Sequence, residues 1–254
     1  MAEVAESQTR SKDASDGVAW VAGVGASAGL GAAAGRRFAR GGLTVALTGR
    51  DANRLRSVAA EISPGAGRVQ ALPGDVSSVD DVERLAAQVR ALGRLRLAVF
   101  NAGNAVLGTP LELTPEQFES TWRGSTYAGF LFARATLPPL LENGGTLLFT
   151  GATASIRGRG RFTAFASAKA ALRSLAQSVA REYGPRGVHV AHIVIDGGID
   201  GERLRANIPQ RAAEAGADGL LSPDAIAETY WQLHLQQRSA WTHELDLRPY
   251  KESF

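Results

Sequence analysis

The chain has no cysteine, so a disulfide framework and a thiolate metal site are both excluded. Its four histidines are scattered, and no metal is expected. Lysine is almost as scarce: of 28 basic residues only Lys12, Lys169 and Lys251 are lysines. Of these, Lys169 alone falls in the expected folded body. No apolar run approaches the ~20 residues that span a bilayer, and the N-terminus lacks the apolar core of a signal peptide. A cytoplasmic protein without a membrane partner is the expectation. The net charge is only +3, with arginines and acids interspersed. That pattern describes solvated faces and not a groove for nucleic acid.

What remains is a composition of 44% hydrophobic and 21% charged residues over 254 positions, which fits one soluble α/β domain with a full core. The chain is organised around residues 18–50, VAWVAGVGASAGLGAAAGRRFARGGLTVALTGR. A short apolar run, Val18 to Val24, leads into Gly25, Ser27, Gly29, Leu30 and Gly31, then an Ala-rich helical stretch to Arg40 and a second apolar run, Leu43 to Leu47. Strand, glycine turn, helix, strand is a βαβ unit. Its turn lets backbone N–H groups and the positive end of a helix dipole approach a pyrophosphate. The next polar position selects the dinucleotide. An acid there would bond the ribose 2′-hydroxyl of NAD; Arg50 instead suits a 2′-phosphate, with the Ser27 hydroxyl as a second contact. NADP(H) is the expected cofactor; the alternative for Arg50 is a solvated strand end.

The rest alternates in the same way. Residues 1–16 are polar and aperiodic and read as a disordered tail. A helix over Asp51 to Ile62, ended by Ser63-Pro64-Gly65, precedes a strand at Arg68 to Leu72; Ser78 caps a helix; Leu95 to Phe100 is a fourth strand. A long helix is capped at Thr114 and closed near Leu137 by Pro138-Pro139. Leu147 to Thr150 is a strand, Ala164 to Tyr183 a helix and Val188 to Ile195 a strand. A loose segment reaches Leu221, Ser222 caps the last helix, and Thr242 to Leu247 adds a seventh strand. The fold class is therefore α/β: a Rossmann-like, doubly wound parallel sheet of about seven strands flanked by helices, one domain over residues 17–254. Residues 201–221 are expected to cover a substrate pocket.

Gly25-x-x-x-Gly29-x-Gly31, Asp75-Val76, Asn101-Ala102-Gly103 and Phe165-x-x-x-Lys169 fall in the order and spacing of the short-chain dehydrogenase/reductase family, which the chain resembles over nearly its whole folded length. The resemblance implies that Asp75 and Val76 contact the adenine. It implies that Asn101, Ala102 and Gly103 steady the sheet beside the cofactor, that Ile199 offers its backbone to the nicotinamide amide, and that Lys169 binds the nicotinamide ribose. The family usually has Pro-Gly where Asp196-Gly197 stand.

The family's usual chemistry uses Asn, Ser, Tyr and Lys. Here the Tyr position falls on Phe165, the Ser position on Ala152 beside Thr153, and the Asn position on Ser125; only Lys169 is retained. Phe165 has no proton to give and Ala152 no hydrogen bond for an oxyanion. Tyr127 lies on a different helix face from Ser125 and is no substitute. Three readings follow: an NADPH-dependent reductase of a small organic acceptor needing little acid catalysis, such as an imine or enone; an NADP(H)-holding protein with a non-redox activity (cyclase, dehydratase or isomerase); or a catalytically silent binding subunit. Arg157, Arg159 and Arg161 border the expected pocket mouth, where they either draw an anionic substrate or stand solvated. Leu204, Ile208, Leu220 and Leu221 line the pocket or pack the lid. The resemblance also implies a homo-oligomer, dimer or tetramer, with Trp231, Trp241 and Tyr250 as contact or core residues.

Overall fold

The computed structural model describes residues 17–66 and 68–252, so the expected tail of residues 1–16 lies outside the described residues. β1 (Val18–Ala22) is five fully buried residues, as a strand covered on both faces must be. α1 (Leu30–Arg40) follows, then β2 (Thr44–Gly49), α2 (Ala52–Ala66), β3 (Val69–Pro73), α3 (Val79–Leu92) and β4 (Leu95–Phe100). α4 (Pro115–Trp122) passes through a π-helical stretch, Arg123–Tyr127, into α5 (Ala128–Asn143). β5 (Gly145–Thr150), a 3₁₀ turn (Thr153–Ser155), α6 (Thr163–Tyr183) and β6 (Val188–Ile195) come next. The last elements are α7 (Glu202–Asn207), α8 (Pro209–Glu214), α9 (Pro223–His234) and β7 (Glu244–Leu247).

The seven strands are all parallel in the order β3-β2-β1-β4-β5-β6-β7, so the winding reverses between β1 and β4. Open α/β sheets bind ligands at the carboxyl ends of the strands flanking that reversal. One face is covered by α1, α2 and α9, with Phe38, Tyr230 and Trp231 in its core; the other by α3, α5 and α6, with Trp20, Phe100, Phe132 and Phe149. The small side chains of α1 let it lie close to the sheet: a Cβ on Gly35 would come within 2.9 Å of Leu47. Trp231 closes the far end of this layer, over Gly41 and Phe38. It is therefore a core residue. Trp241 stacks on His189, and Tyr250 stands exposed, so the three aromatics do not form one patch.

Three expected boundaries are corrected. The helix expected from Thr114 to Leu137 is interrupted at Arg123–Tyr127 and then runs through Pro138 and Pro139 to Asn143. Burial of Leu137, Pro139 and Leu140 outweighs the missing prolyl N–H groups, the Asn143 amide takes up the Pro139 carbonyl at 2.7 Å, and Gly144 (φ +65°) ends the helix instead. α2 likewise continues past Ile62 to Ala66, with the Ser63 hydroxyl on the Ala59 carbonyl at 2.9 Å. The segment expected to be loose contains α7 and α8. The capping box at Thr114 and the Ser78 and Ser222 caps form as expected.

Candidate active site

A cleft of about 1070 Å³ opens at the carboxyl ends of β1 and β4. That stands at the upper end of the ~300–1,000 Å³ usual for small-molecule and cofactor sites. Its floor is set by the turn after β1. Gly23 has φ +84°, and a Cβ there would lie 2.4 Å from the Ala102 nitrogen; only glycine permits this approach. The Asn101 side chain donates to the Gly23 carbonyl at 3.1 Å and its backbone N–H to Ala22 at 3.0 Å, tying β1 to β4. Gly31 packs against Val24, where a Cβ would be 3.0 Å from its Cα, whereas a Cβ on Gly25 would meet nothing within 4 Å. One glycine brings helix to strand and the other leaves open space above the α1 N-terminus.

Gly25, Gly29, Leu30, Gly31, Arg50, Asp75, Val76, Asn101, Ala102, Gly103, Lys169 and Ile199 all line this cleft. Ser27 does not: its hydroxyl donates to Glu61 at 2.5 Å, because α2 brings that carboxylate over the turn. Arg50 is exposed at the end of β2 and makes no ion pair among the described residues. Asp75 accepts from the Ser77 N–H and hydroxyl at 2.8 and 2.7 Å, which fixes the turn after β3.

Ala152, Thr153, Phe165 and Lys169 meet at the other end of the cleft. Lys169 is buried on α6 and its Nζ donates to the Thr150 carbonyl at 2.8 Å. Burial, and then the positive charge of Arg203 on α7, lower its pKa from 10.5 to about 8. Ser125 lies in the π-helical stretch, a distortion common at functional sites. Its Oγ is buried without a hydrogen-bond partner among the described residues, and a Cβ on Gly103 would sit 3.4 Å from both that oxygen and Lys169 Nζ. A fully buried orphan hydroxyl beside a buried ammonium is a site prepared for a polar ligand atom or water.

Phe165 is one helical turn before Lys169 and packs against Phe162, ring centroids 5.9 Å apart. No tyrosine or histidine lines the cleft among the described residues. Tyr127 is stacked on Trp122, and Tyr230 bonds Thr150 at 2.8 Å within the buried core, its pKa raised by that burial.

Thr153 donates its hydroxyl proton to Asp196 at 2.5 Å. Asp196 is fully buried and also faces Arg157 at 3.5 Å and Arg248 at 3.1 Å. Sequence reasoning noted an acid at the end of β6 but not this network; the signal was a carboxylate directly after an eight-residue strand that is buried throughout. Arg203, with its Nη2 on Asn104 at 3.4 Å, was missed, since nothing local in the sequence distinguishes it. Leu204 and Ile208 line the cleft, while Leu221 is buried in the core. Arg157 and Arg159 line it too; Arg161 turns away to Glu112 at 2.8 Å.

Residues 19–213 match the short chain dehydrogenase family. The chain belongs to that family. Among solved structures, a short-chain dehydrogenase from Rhodopseudomonas palustris is 37% identical, with a TM-score of 0.77 over 91% of this chain and 99% of that one. A metagenomic short-chain oxidoreductase in complex with NADP is 27% identical, with a TM-score of 0.78 over 93% and 98%. Among curated relatives, the glucose 1-dehydrogenase of Gluconobacter oxydans (strain 621H) is 32% identical over 170 residues, 65% of this chain and 64% of that relative's length. This member of the family has a seven-stranded parallel sheet, and no helix long and apolar enough to cross a membrane among the described residues.

Proposed function

We propose that the protein is an NADP(H)-dependent oxidoreductase acting on a small organic acceptor that needs little proton donation from the protein, of the imine or enone type. The residues present fit the dinucleotide: the open space over Gly25, the α1 N-terminus with no acid in its first turn, and the unpaired Arg50 suit pyrophosphate and 2′-phosphate. Asp75 and Val76 would flank the adenine, and Lys169, Asn101 and the Ile199 backbone the nicotinamide end. When bound, the cofactor supplies a hydride.

The observation that carries this reading is the pairing of a well-formed dinucleotide cleft with Phe165 beside Lys169 and no tyrosine in the lining among the described residues. A general acid contributes ~10²–10⁴ in rate, and Phe165 cannot act as one. Conjugated or already cationic acceptors spread or cancel the charge that builds up in the transition state, so their reduction suffers least. Ser125 would hold a water beside Lys169, and Thr153 would offer only its oxygen lone pairs, because its proton is given to Asp196. Phe162 and Phe165 would exclude bulk water. The test is NADPH binding followed by NADPH consumption across panels of enones, imines and simple ketones. Consumption with the first two classes and not the third is expected; ketone reduction at an ordinary enzymatic rate would overturn the reading.

A further inference from the structure

Four arginines face the acceptor end of the cleft from opposite sides. Arg157 and Arg159 come from the segment between β5 and α6, Arg203 from α7 and Arg211 from α8. Their partners do not balance them. Arg157 faces Asp196 at 3.5 Å, a carboxylate that also accepts from Thr153 and faces Arg248, which has Asp246 as well. Arg159 and Arg211 share the single carboxylate of Glu252, each at 3.9 Å. Among the described residues Arg203 has the Asn104 amide oxygen alone, at 3.4 Å. Glu202, the remaining acid on this side, is turned to Arg54 at 3.9 Å.

An uncompensated cluster in a half-enclosed cleft raises the local concentration of anions and holds them by charge-assisted hydrogen bonds. Between the arginines the wall presents Phe162, Phe165, Leu204 and Ile208, with Asn104 and Asn207 as polar members. Glu252 shows the kind of group this wall accepts: a carboxylate mostly withdrawn from water, bridging the body and the α7–α8 segment.

We infer that the acceptor end of this cleft is built for a substrate with an apolar body and an anionic oxygen group, a carboxylate or a phosphate, bound between Arg159 and Arg211 in the place that Glu252 holds. The inference rests on the proposed NADP(H) cleft, since it concerns the molecule bound beside the cofactor. It also ranks the two acceptor types by expected rate. A cationic iminium would face Arg157, Arg203 and Lys169, so a conjugated enone or related neutral acceptor bearing the anionic group is favoured. An anion bridging Arg159 and Arg211 would also draw the α7–α8 segment onto the body.

The test uses benzoate, benzamide and phenyl phosphate as probes, titrated by calorimetry into the protein with and without saturating NADPH. Benzoate or phenyl phosphate should bind at least about tenfold more tightly than benzamide, given that charge-assisted bonds are roughly twice as strong as neutral ones. The stronger of the two identifies the anionic group. Arg159→Gln/Arg211→Gln should erase the preference. Glu252→Gln should move affinity the opposite way, tightening the anionic probe by a few-fold as the competing carboxylate is removed. Equal binding of benzamide and both anions, or unchanged affinity in Glu252→Gln, would overturn the inference. Failure of NADPH itself to bind would instead strike the cofactor reading, and the titrations without NADPH would still decide the arginine site.

Discussion

Phe165→Tyr should create ketone reduction where the native chain has little. Residues four apart on a helix have Cβ atoms ~5–6 Å apart, so the new phenol would stand over the same turn of α6 as Lys169 and face the same cleft. Lys169, with a pKa of about 8, is mostly charged at neutral pH. A cation at that range favours the phenolate and lowers the tyrosine pKa towards the working range of a general acid. The full effect of such an acid is ~10²–10⁴. The lower end, about 10²-fold, is expected for the single substitution, because the carbonyl oxygen would still lack a second donor. Ala152 has none, and the Thr153 proton is committed to Asp196. Adding Ala152→Ser should contribute a further ~10²–10³, the usual worth of one oxyanion donor. The assay is NADPH consumption with an aromatic ketone, normalised to NADPH affinity and melting temperature. If both variants melt and bind NADPH as the native protein does, yet neither reduces the ketone faster, then the missing acid is not what limits this site.

Arg50→Ala should weaken NADPH by about tenfold while leaving NADH nearly unchanged, since one exposed charge-assisted pair to the 2′-phosphate is lost; equilibrium fluorescence titration of both nucleotides decides it. NADPH affinity should be highest below about pH 8 and fall as pH rises through that value, because only the ammonium of Lys169 favours the anionic ligand; Lys169→Arg should flatten the profile, and a pH-independent native affinity would refute the assignment. The lowered pKa of Lys169 also costs stability: the unfolded chain binds the extra proton between about 8 and 10.5, so the penalty, ~3 kcal/mol, is complete below about pH 8 and is relieved above it. Lys169→Met should therefore raise the melting temperature of the ligand-free protein at neutral pH, by an amount that shrinks towards pH 10, while abolishing NADPH binding. Asp196→Ala should destabilise by about 1–3 kcal/mol in chemical denaturation, because it removes the buried acceptor of the Thr153 hydroxyl and the carboxylate facing Arg157, while Arg248 keeps Asp246.

The elements read most directly were those whose signal is local. The glycine turn, the caps at Ser78, Thr114 and Ser222 and the buried apolar strands each record a backbone requirement in adjacent residues, and they stand where the pattern put them. What escaped was decided by packing between distant segments. Pro138 and Pro139 signal a helix end, yet the core takes Leu137 and Leu140 and carries the helix on to Asn143. The π-helical stretch that buries Ser125 has no sequence mark, because it is set by the fit of α4 and α5 over α6. Ser27 lies in the right turn for a phosphate contact, but Glu61, on another helix, takes its hydroxyl. Arg203 and Glu252 enter the cleft from segments far apart in the chain, and only the folded structure brings their charges to one place.

The two ends of the cleft make different physical demands, and these bear on the choice between a working oxidoreductase and a silent scaffold. A scaffold that holds nothing gains no free energy from Lys169: its ammonium is buried with one carbonyl partner, at 2.8 Å, and stands against Arg203 without an intervening acid. The orphan hydroxyl of Ser125 beside it adds to that cost. Both are offset when a ligand rich in oxygen, such as a ribose and its phosphates, fills the space above Gly103. The acceptor end carries the reverse signature, Phe165 together with several arginines in the lining. Arginine cannot replace tyrosine as an acid, since it does not give up its proton. It can hold an anionic group and stabilise negative charge developing nearby. On the proposed reading, polarisation replaces protonation at this end, and a conjugated acceptor anchored by its own anion is the substrate to test.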